Sequence, residues 1–309
     1  MTTLIFTHEV CVGHHTGDYH PESPDRLRAV HAVLDGDHFR ELDRRKAPQA
    51  SLDNIFLVHE PTYVDKVLAA IPEEGHHYLD PDTVVSPASG EAALRGVGAV
   101  IAAVDAVVDD QSGSNAFCAV RPPGHHAERA RSMGFCLFNN VAVGALHART
   151  AHGLQRVAVV DFDVHHGNGT QHMFDADKDL FYASSHQAPF YPGTGAVSET
   201  GVGNIVNMPL AAGSGSIEFR AAYQNIILAA LRDFNPDILF ISAGFDAHAD
   251  DPLAQLNLRD DDFAWVTREL LAVADECCGG RVISALEGGY DLSALARSVD
   301  VHVREMMAA

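Results

Sequence analysis

Basic residues are scarce in this chain: 21 lysines and arginines stand against 42 aspartates and glutamates, giving a formal net charge of −21 over 309 residues. A surface of that sign repels phosphate and argues against direct nucleic-acid binding; it attracts cationic substrates, and it also serves solubility with no ligand in view. Cysteine is sparse too. The five, at 11, 118, 136, 277 and 278, offer neither a disulfide framework nor a CxxC zinc spacing, so they are expected to be reduced core or surface residues. No apolar stretch reaches the roughly eighteen residues of a membrane helix, and "MTTLIFTHEV" lacks a basic region ahead of a long apolar one. No membrane partner or signal peptide is therefore expected, and the expected location is cytoplasmic. Linkers, repeats and low-complexity tracts are missing as well, and the densest Gly/Ser/Pro stretches, "YPGTGAVSETGVGN" and "AAGSGS", are short loops between strand-like segments. Residues 1–309 thus read as one domain. A GxSxG elbow is absent, which removes the usual support for a covalent serine route.

What is present is a set of short apolar or β-branched runs, at 4–8, 116–121, 156–163, 179–186, 204–210, 237–245 and 281–290, in a chain that is 47% hydrophobic. Helical spacing of apolar residues falls between several of them, at 90–109, 139–152, 217–233 and 260–278. Alternating near-continuous apolar strands and helices predict an α/β fold, a mainly parallel sheet covered by helices on both faces. Ligands of such sheets bind at the carboxyl ends of the strands. That is where the polar residues cluster: "RPPGHH", "DFDVHHGNG", "FDAHADD" and "LEGGY" each follow one of these runs.

Asp163 and His165 are two apart, so an extended strand end points them the same way, and Asp246 at a second strand end can complete a metal shell of carboxylate and imidazole. Charged groups following buried strands are expensive without a partner, which makes a strand-end cap or surface pair the weaker explanation. His125 and His126 sit in a loop stiffened by two prolines and precede the aromatic "GFCLFNN". One can act as a general base, with Asp161 fixing a tautomer, and Tyr290 is placed to donate to an oxyanion, although a tyrosine there can also merely pack. Two other doublets, His14–His15 and His76–His77, have no strand leading into them and are expected in surface loops.

Together, "HPESPDR", "RPPGHHAE", "GFCLFNN", "DFDVHHGNGTQ", "FYPGTG", "SAGFDAHADDPL" and "LEGGY", spread from 20 to 290, resemble the zinc-dependent histone deacetylase superfamily, above all its class II branch and the bacterial histone-deacetylase-like amidohydrolases. The resemblance implies a three-layer arginase/deacetylase fold with a central eight-stranded sheet. It implies one catalytic Zn2+ on Asp163, His165 and Asp246, with His126 as base and then acid, His125 paired with Asp161, and Tyr290 donating to the substrate carbonyl. Asn168 stands where class I members carry aspartate, and a neutral partner leaves His126 less basic. Tyr290 is not the histidine of the low-activity class IIa pattern. Structural K+ is implied on Asp161, Asp163, His165, Ser184 and Ser185. Phe135, Tyr191, Gly134 and Leu253 are implied as the substrate channel; Tyr191 replaces a frequent phenylalanine, and Leu253 stands where polyamine-specific relatives carry glutamate.

The expected activity is hydrolysis of an N-acetyl amide by metal-activated water, on an acetylated amine that is cationic or lysine-derived. Acetylpolyamine or other small-amide hydrolysis is the alternative. A non-catalytic acetyl-ligand module is a further alternative, disfavoured because a binder needs no base and oxyanion donor together. A ureohydrolase would need a second metal, but Gly167 and His248 occupy the corresponding places. The natural substrate, zinc against iron, and a homo-oligomer are left open by the sequence.

Overall fold

Strands buried on both faces explain why the sequence shows unbroken apolar runs and not alternation. The computed structural model describes residues 2–110 and 114–309. Among them are strands β1 (Thr2–Thr7), β2 (Asp43–Lys46), β3 (His77–Tyr78), β4 (Val84–Val85), β5 (Ser114–Cys118), β6 (Val157–Asp161), β7 (Leu180–Gln187), β8 (Ile205–Leu210), β9 (Ile238–Ala243) and β10 (Val282–Leu286). β3 and β4 pair with each other, antiparallel. The other eight form one parallel sheet in the order β2-β1-β5-β10-β9-β6-β7-β8, with helices packed around it. Every residue of β5, β6, β9 and β10 is buried. These four are consecutive neighbours at the centre of the sheet, so the four polar motifs that follow them leave the same edge side by side.

Within the eight-stranded sheet, the strand that falls on none of the apolar runs is β2, "DRRK", largely exposed on the sheet edge, where charge discourages pairing with another chain; the short β3 and β4 fall on none of them either. Helices Ser89–Asp109, Asn140–His152 and Asp260–Cys278 fall on expected segments. The expected helix at 217–233 is interrupted by a π-helical turn at Tyr223–Ile227, which sets the Tyr223 hydroxyl 3.3 Å from Ser185 Oγ on β7. Helices Pro24–Leu34 and Pro61–Ala69 were not singled out from the pattern; each opens with proline, whose missing N–H is harmless in a first turn. Helix Leu292–Ala308 starts from Asp291, whose carboxylate accepts the Ala294 N–H. That cap fixes the turn carrying Tyr290. No helix among the described residues is long and apolar enough to cross a membrane.

The same C-terminal helix buries His302 against Phe117, Phe162 and Phe245. Its Nδ1 lies 2.7 Å from Thr267 Oγ1 and its Nε2 2.8 Å from Ser284 Oγ, and burial drives its pKa from 6.5 to about 3. The unfolded chain takes up this proton near 6.5 and the folded chain only near 3, so stability present above 6.5 is lost as pH falls through that window. Between pH 6.5 and 3, His302 alone is expected to lower the unfolding free energy by about 1.4 kcal/mol per pH unit. Denaturant titrations at several pH values should give His302→Gln a shallower slope than the parent, and identical slopes would exclude the linkage.

Candidate metal and catalytic centre

β6 ends at Asp161, and the loop beyond it carries Asp163 and His165; β9 ends at Ala243, three residues before Asp246. The two loops converge. His165 Nδ1 lies 3.0 Å from Asp163 Oδ1 and 3.1 Å from Asp246 Oδ2, and all three side chains are buried. Backbone N–H groups hold the carboxylates in place: His165 and Gly288 donate to Asp163 at 2.8 Å each, and Val164 donates to Asp246 at 2.9 Å. Glycines clear the space around them. A Cβ at Gly244 would run into the Asp163 carboxylate, and one at Gly288 would meet both carboxylates.

Burial raises the pKa of Asp246, and the neighbouring Asp163 charge adds to it. For Asp163 burial acts in the same sense, but the charges of His125 and His165 outweigh it and hold the group low. His165 is disfavoured as a cation by burial, yet the two carboxylates lift it to about 10. Two buried carboxylates sharing one imidazole are poorly compensated by protons alone. The donor atoms all lie within 4.8 Å of one another. A buried, convergent N/O set cradled by glycines fits a borderline divalent cation.

The loop after β5 brings both histidines beside this trio. His125 Nδ1 sits 3.0 Å from Asp161 Oδ2, and the Asp161 carboxylate also accepts the Tyr182 hydroxyl at 3.0 Å and the Asp163 N–H at 3.1 Å. Gly167 has to be glycine here, since a Cβ would strike Asp161 and Tyr182. His126 Nδ1 lies 2.8 Å from Asn168 Oδ1, while Asn168 Nδ2 donates to Glu128 at 2.8 Å. That second bond orients the amide, so Nδ1–H of His126 is the donor and Nε2 is left free. The two imidazoles, 4.0 Å apart between ring centroids, diverge electrostatically. Burial opposes charge on His125, but Asp161 and Asp163 raise it to about 10. Burial, then the charges of His125 and His165, push His126 far below its ordinary value.

Tyr290 follows β10, and burial with the nearby Asp246 charge keeps its phenol protonated. Its backbone N–H donates to Asp251 at 2.7 Å. Arg26 reaches across the fold beneath it, with the guanidinium 4.9 Å from the ring centroid and Nε donating to Gly289 O at 2.6 Å and Nη2 to Glu287 O at 2.5 Å. Arg26 and Arg121 both bind the fully buried Glu22. None of Glu22, Arg26, Arg121, Tyr182, Asp251 and Glu287 was singled out from the sequence; membership of "HPESPDR", "RPPGHH", "ADD" and "LEGGY" was the available signal for all but Tyr182.

A narrow cavity of about 90 Å³ ends on this group. It is lined by Gly134, Phe135, Tyr191, Leu253, His126, His165 and Tyr290, together with Asp82, which sequence reasoning missed. A roomier cleft of about 450 Å³ beside the C-terminal helix has no converging imidazoles. Gly134 and Phe135 both adopt positive φ, at 55° and 68°, the second an uncommon conformation for a side-chain-bearing residue. Asp82 Oδ1 accepts the Gly134 N–H at 3.2 Å, and a Cβ on Gly134 would collide with the His126 ring. Ser184, the register partner of Asp161, is buried and turns its hydroxyl to His186 Nδ1 at 2.9 Å, while Ser185 faces Tyr223. The expectation for His14 fails. It is buried, 2.7 Å from Ser89 Oγ and 3.4 Å from Glu22, because it belongs to the Glu22 network; His15, His76 and His77 are exposed as expected, although His77 lies in the short strand β3 and not in a loop.

The profile of the histone deacetylase domain matches residues 20–306. The chain is 40% identical over 305 residues to "Histone deacetylase 10, chloroplastic" of Oryza sativa, covering 92% of this chain and 69% of that one. It is 37% identical over 311 residues to the "Histone deacetylase-like amidohydrolase" of Pseudomonas aeruginosa, covering 93% and 81%. Among solved structures, the crystal structure of the HDA15 HD domain superposes with a TM-score of 0.93 at 34% identity, covering 99% of this chain and 90% of that one. With the parallel eight-stranded sheet and the motifs gathered at its carboxyl edge, these matches establish that the chain belongs to the histone deacetylase family, whose fold is the arginase/deacetylase fold.

Proposed function

We propose that this protein hydrolyses N-acetyl amides of lysine-type amines, using a single zinc ion held by Asp163, His165 and Asp246. The observation that carries this reading is the trio at the end of a narrow cavity whose wall also includes a free imidazole nitrogen and a protonated phenol. When bound, zinc supplies Lewis acidity, which polarises a carbonyl and makes water nucleophilic at neutral pH. His126, kept neutral, has Nε2 free to take the proton from water and later to return it to the departing amine. His125 keeps a positive charge next to the reacting atoms through Asp161. Tyr290 donates its hydroxyl to the oxygen on which negative charge develops. Phe135 and Tyr191 supply aromatic walls, with Gly134 and Leu253, for a slender aliphatic chain.

A structural potassium ion on Asp161, Asp163, His165, Ser184 and Ser185 is part of the same proposal; its support is the pairing of Asp161, at the end of β6, with Ser184 on β7. A two-metal ureohydrolase centre is disfavoured because Gly167 has no donor and His248 is engaged by Asp260 at 3.1 Å. The test is amine release by the zinc-loaded protein from acetyl-lysine peptides, acetylated polyamines and trifluoroacetyl amides. Turnover of the lysine-type substrates is expected, and silence across the whole panel would end the proposal. Leu253 carries the choice within that class, since it puts no charge in the cavity wall to meet a distant ammonium. Leu253→Glu is expected to raise the ratio of acetylpolyamine to acetyl-lysine kcat/KM by about tenfold, from one added charge pair. An unchanged ratio would take Leu253 out of the specificity argument.

A further inference from the structure

Two histidines near the end of helix Asn140–His152 have no part in the chemistry above. His147 and His152 both aim Nε2 at the same oxygen of Asp105, 2.7 Å away in each case, across the packing of this helix on helix Ser89–Asp109. The imidazoles are largely buried while the carboxylate reaches solvent, with side-chain exposures of 12, 15 and 48%. A helix-to-helix hydrogen bond needs one imidazole. Two on one oxygen is the arrangement of a convergent N2O donor set.

We propose that Asp105, His147 and His152 bind a second, non-catalytic divalent cation of the zinc class and so clamp the two helices together. Two imidazoles and a carboxylate suit zinc, nickel or copper and do not suit magnesium or calcium, which take oxygen. The three donor atoms lie within 4.8 Å of one another, and tetrahedral zinc asks for about 3.4 Å between donors, so rotamer-sized adjustments close the shell. Asn54 Nδ2, 3.5 Å from His147 Nδ1, marks an amide in reach of that ring's outer nitrogen, where a turned amide can accept the N–H of the ligating tautomer. Solvent at the exposed carboxylate supplies the fourth position. The net charge of −21 draws cations to the surface. At its other end, helix Asn140–His152 meets the catalytic loops: Asn140 donates to Pro122 O at 3.2 Å and Asn139, its cap, to Thr170 Oγ1 at 3.0 Å. The clamp therefore stiffens the support of those loops without touching the reacting atoms.

The test is zinc content per chain, after equilibration with Zn2+ and desalting, in four proteins: parent, Asp246→Ala, His147→Gln/His152→Gln, and the three changes combined. The expected values are about two, one, one and none. Zinc should also raise the Tm of Asp246→Ala, an effect absent from the combined variant, and His147→Gln/His152→Gln should keep parental hydrolysis. The proposal is overturned if Asp246→Ala binds no zinc, or if the combined variant binds as much as Asp246→Ala. Because Asp246→Ala is read by metal content and melting, the outcome does not depend on whether the parent proves to be a deacetylase.

Discussion

Tyr290→Phe is expected to lower kcat for acetyl-amide hydrolysis by about 10²–10³-fold, the loss of one oxyanion donor, while KM, zinc content and Tm stay close to parental. Among the described residues no group hydrogen-bonds the phenol hydroxyl, which lines the cavity, so its removal leaves no protein partner unsatisfied. The ring itself is what Arg26 packs on, and phenylalanine preserves that face. Arg26 and the Asp251 carboxylate hold the peptide between Gly289 and Tyr290 from its two polar ends, the carbonyl and the N–H, so the loop should not move. A kcat within about threefold of the parent would mean that the donor lies elsewhere and that Tyr290 only packs. A matched fall in Tm would point instead to a structural role for the hydroxyl.

The sheet was legible because its central strands are buried on both faces, so β6 and β9 stand out as apolar runs whose ends are marked by Asp161 and by Gly244. β2 was not, since an edge strand of charged residues carries no such contrast. In the candidate centre, Asp161, Asp163, His165, Asp246 and Tyr290 lie at or just beyond the ends of β6, β9 and β10, with His125 and His126 in the loop after β5, and the converging geometry follows from β5, β10, β9 and β6 being neighbours. What pattern reading could not reach is the layer behind them. Arg26 and Glu22 lie on the N-terminal segment, about 260 residues in sequence from the Glu287 and Gly289 carbonyls that Arg26 holds, and only the fold relates them. His14 was misplaced for the same reason: nothing local shows that its partners are Ser89 and Glu22. Tyr182 looks like an ordinary strand aromatic until register sets β7 beside β6, which brings its hydroxyl to Asp161.

Asp246→Asn should separate the two jobs of this carboxylate. Asparagine keeps an oxygen to accept the Val164 N–H but carries no charge toward the other two donors. Hydrolysis is expected to fall by more than about 10³-fold with loss of the metal that activates water and carbonyl together. Stability should move the other way in the metal-free protein. Burial and the Asp163 charge both disfavour ionised Asp246, so removing that charge relieves a repulsion, partly offset by the lost attraction to His165. Metal-free Asp246→Asn is therefore expected to melt no lower than the metal-free parent. Zinc reverses the order. At a free concentration about a thousand times Kd, a bound ion stabilises the parent by about 4 kcal/mol, and the variant, lacking one anionic ligand, should gain little of that. Scanning calorimetry in a His147→Gln/His152→Gln background confines the comparison to this centre. If zinc raised the melting point of parent and variant equally there, Asp246 would not be a ligand, and its buried carboxylate beside Asp163 would require a different compensating charge.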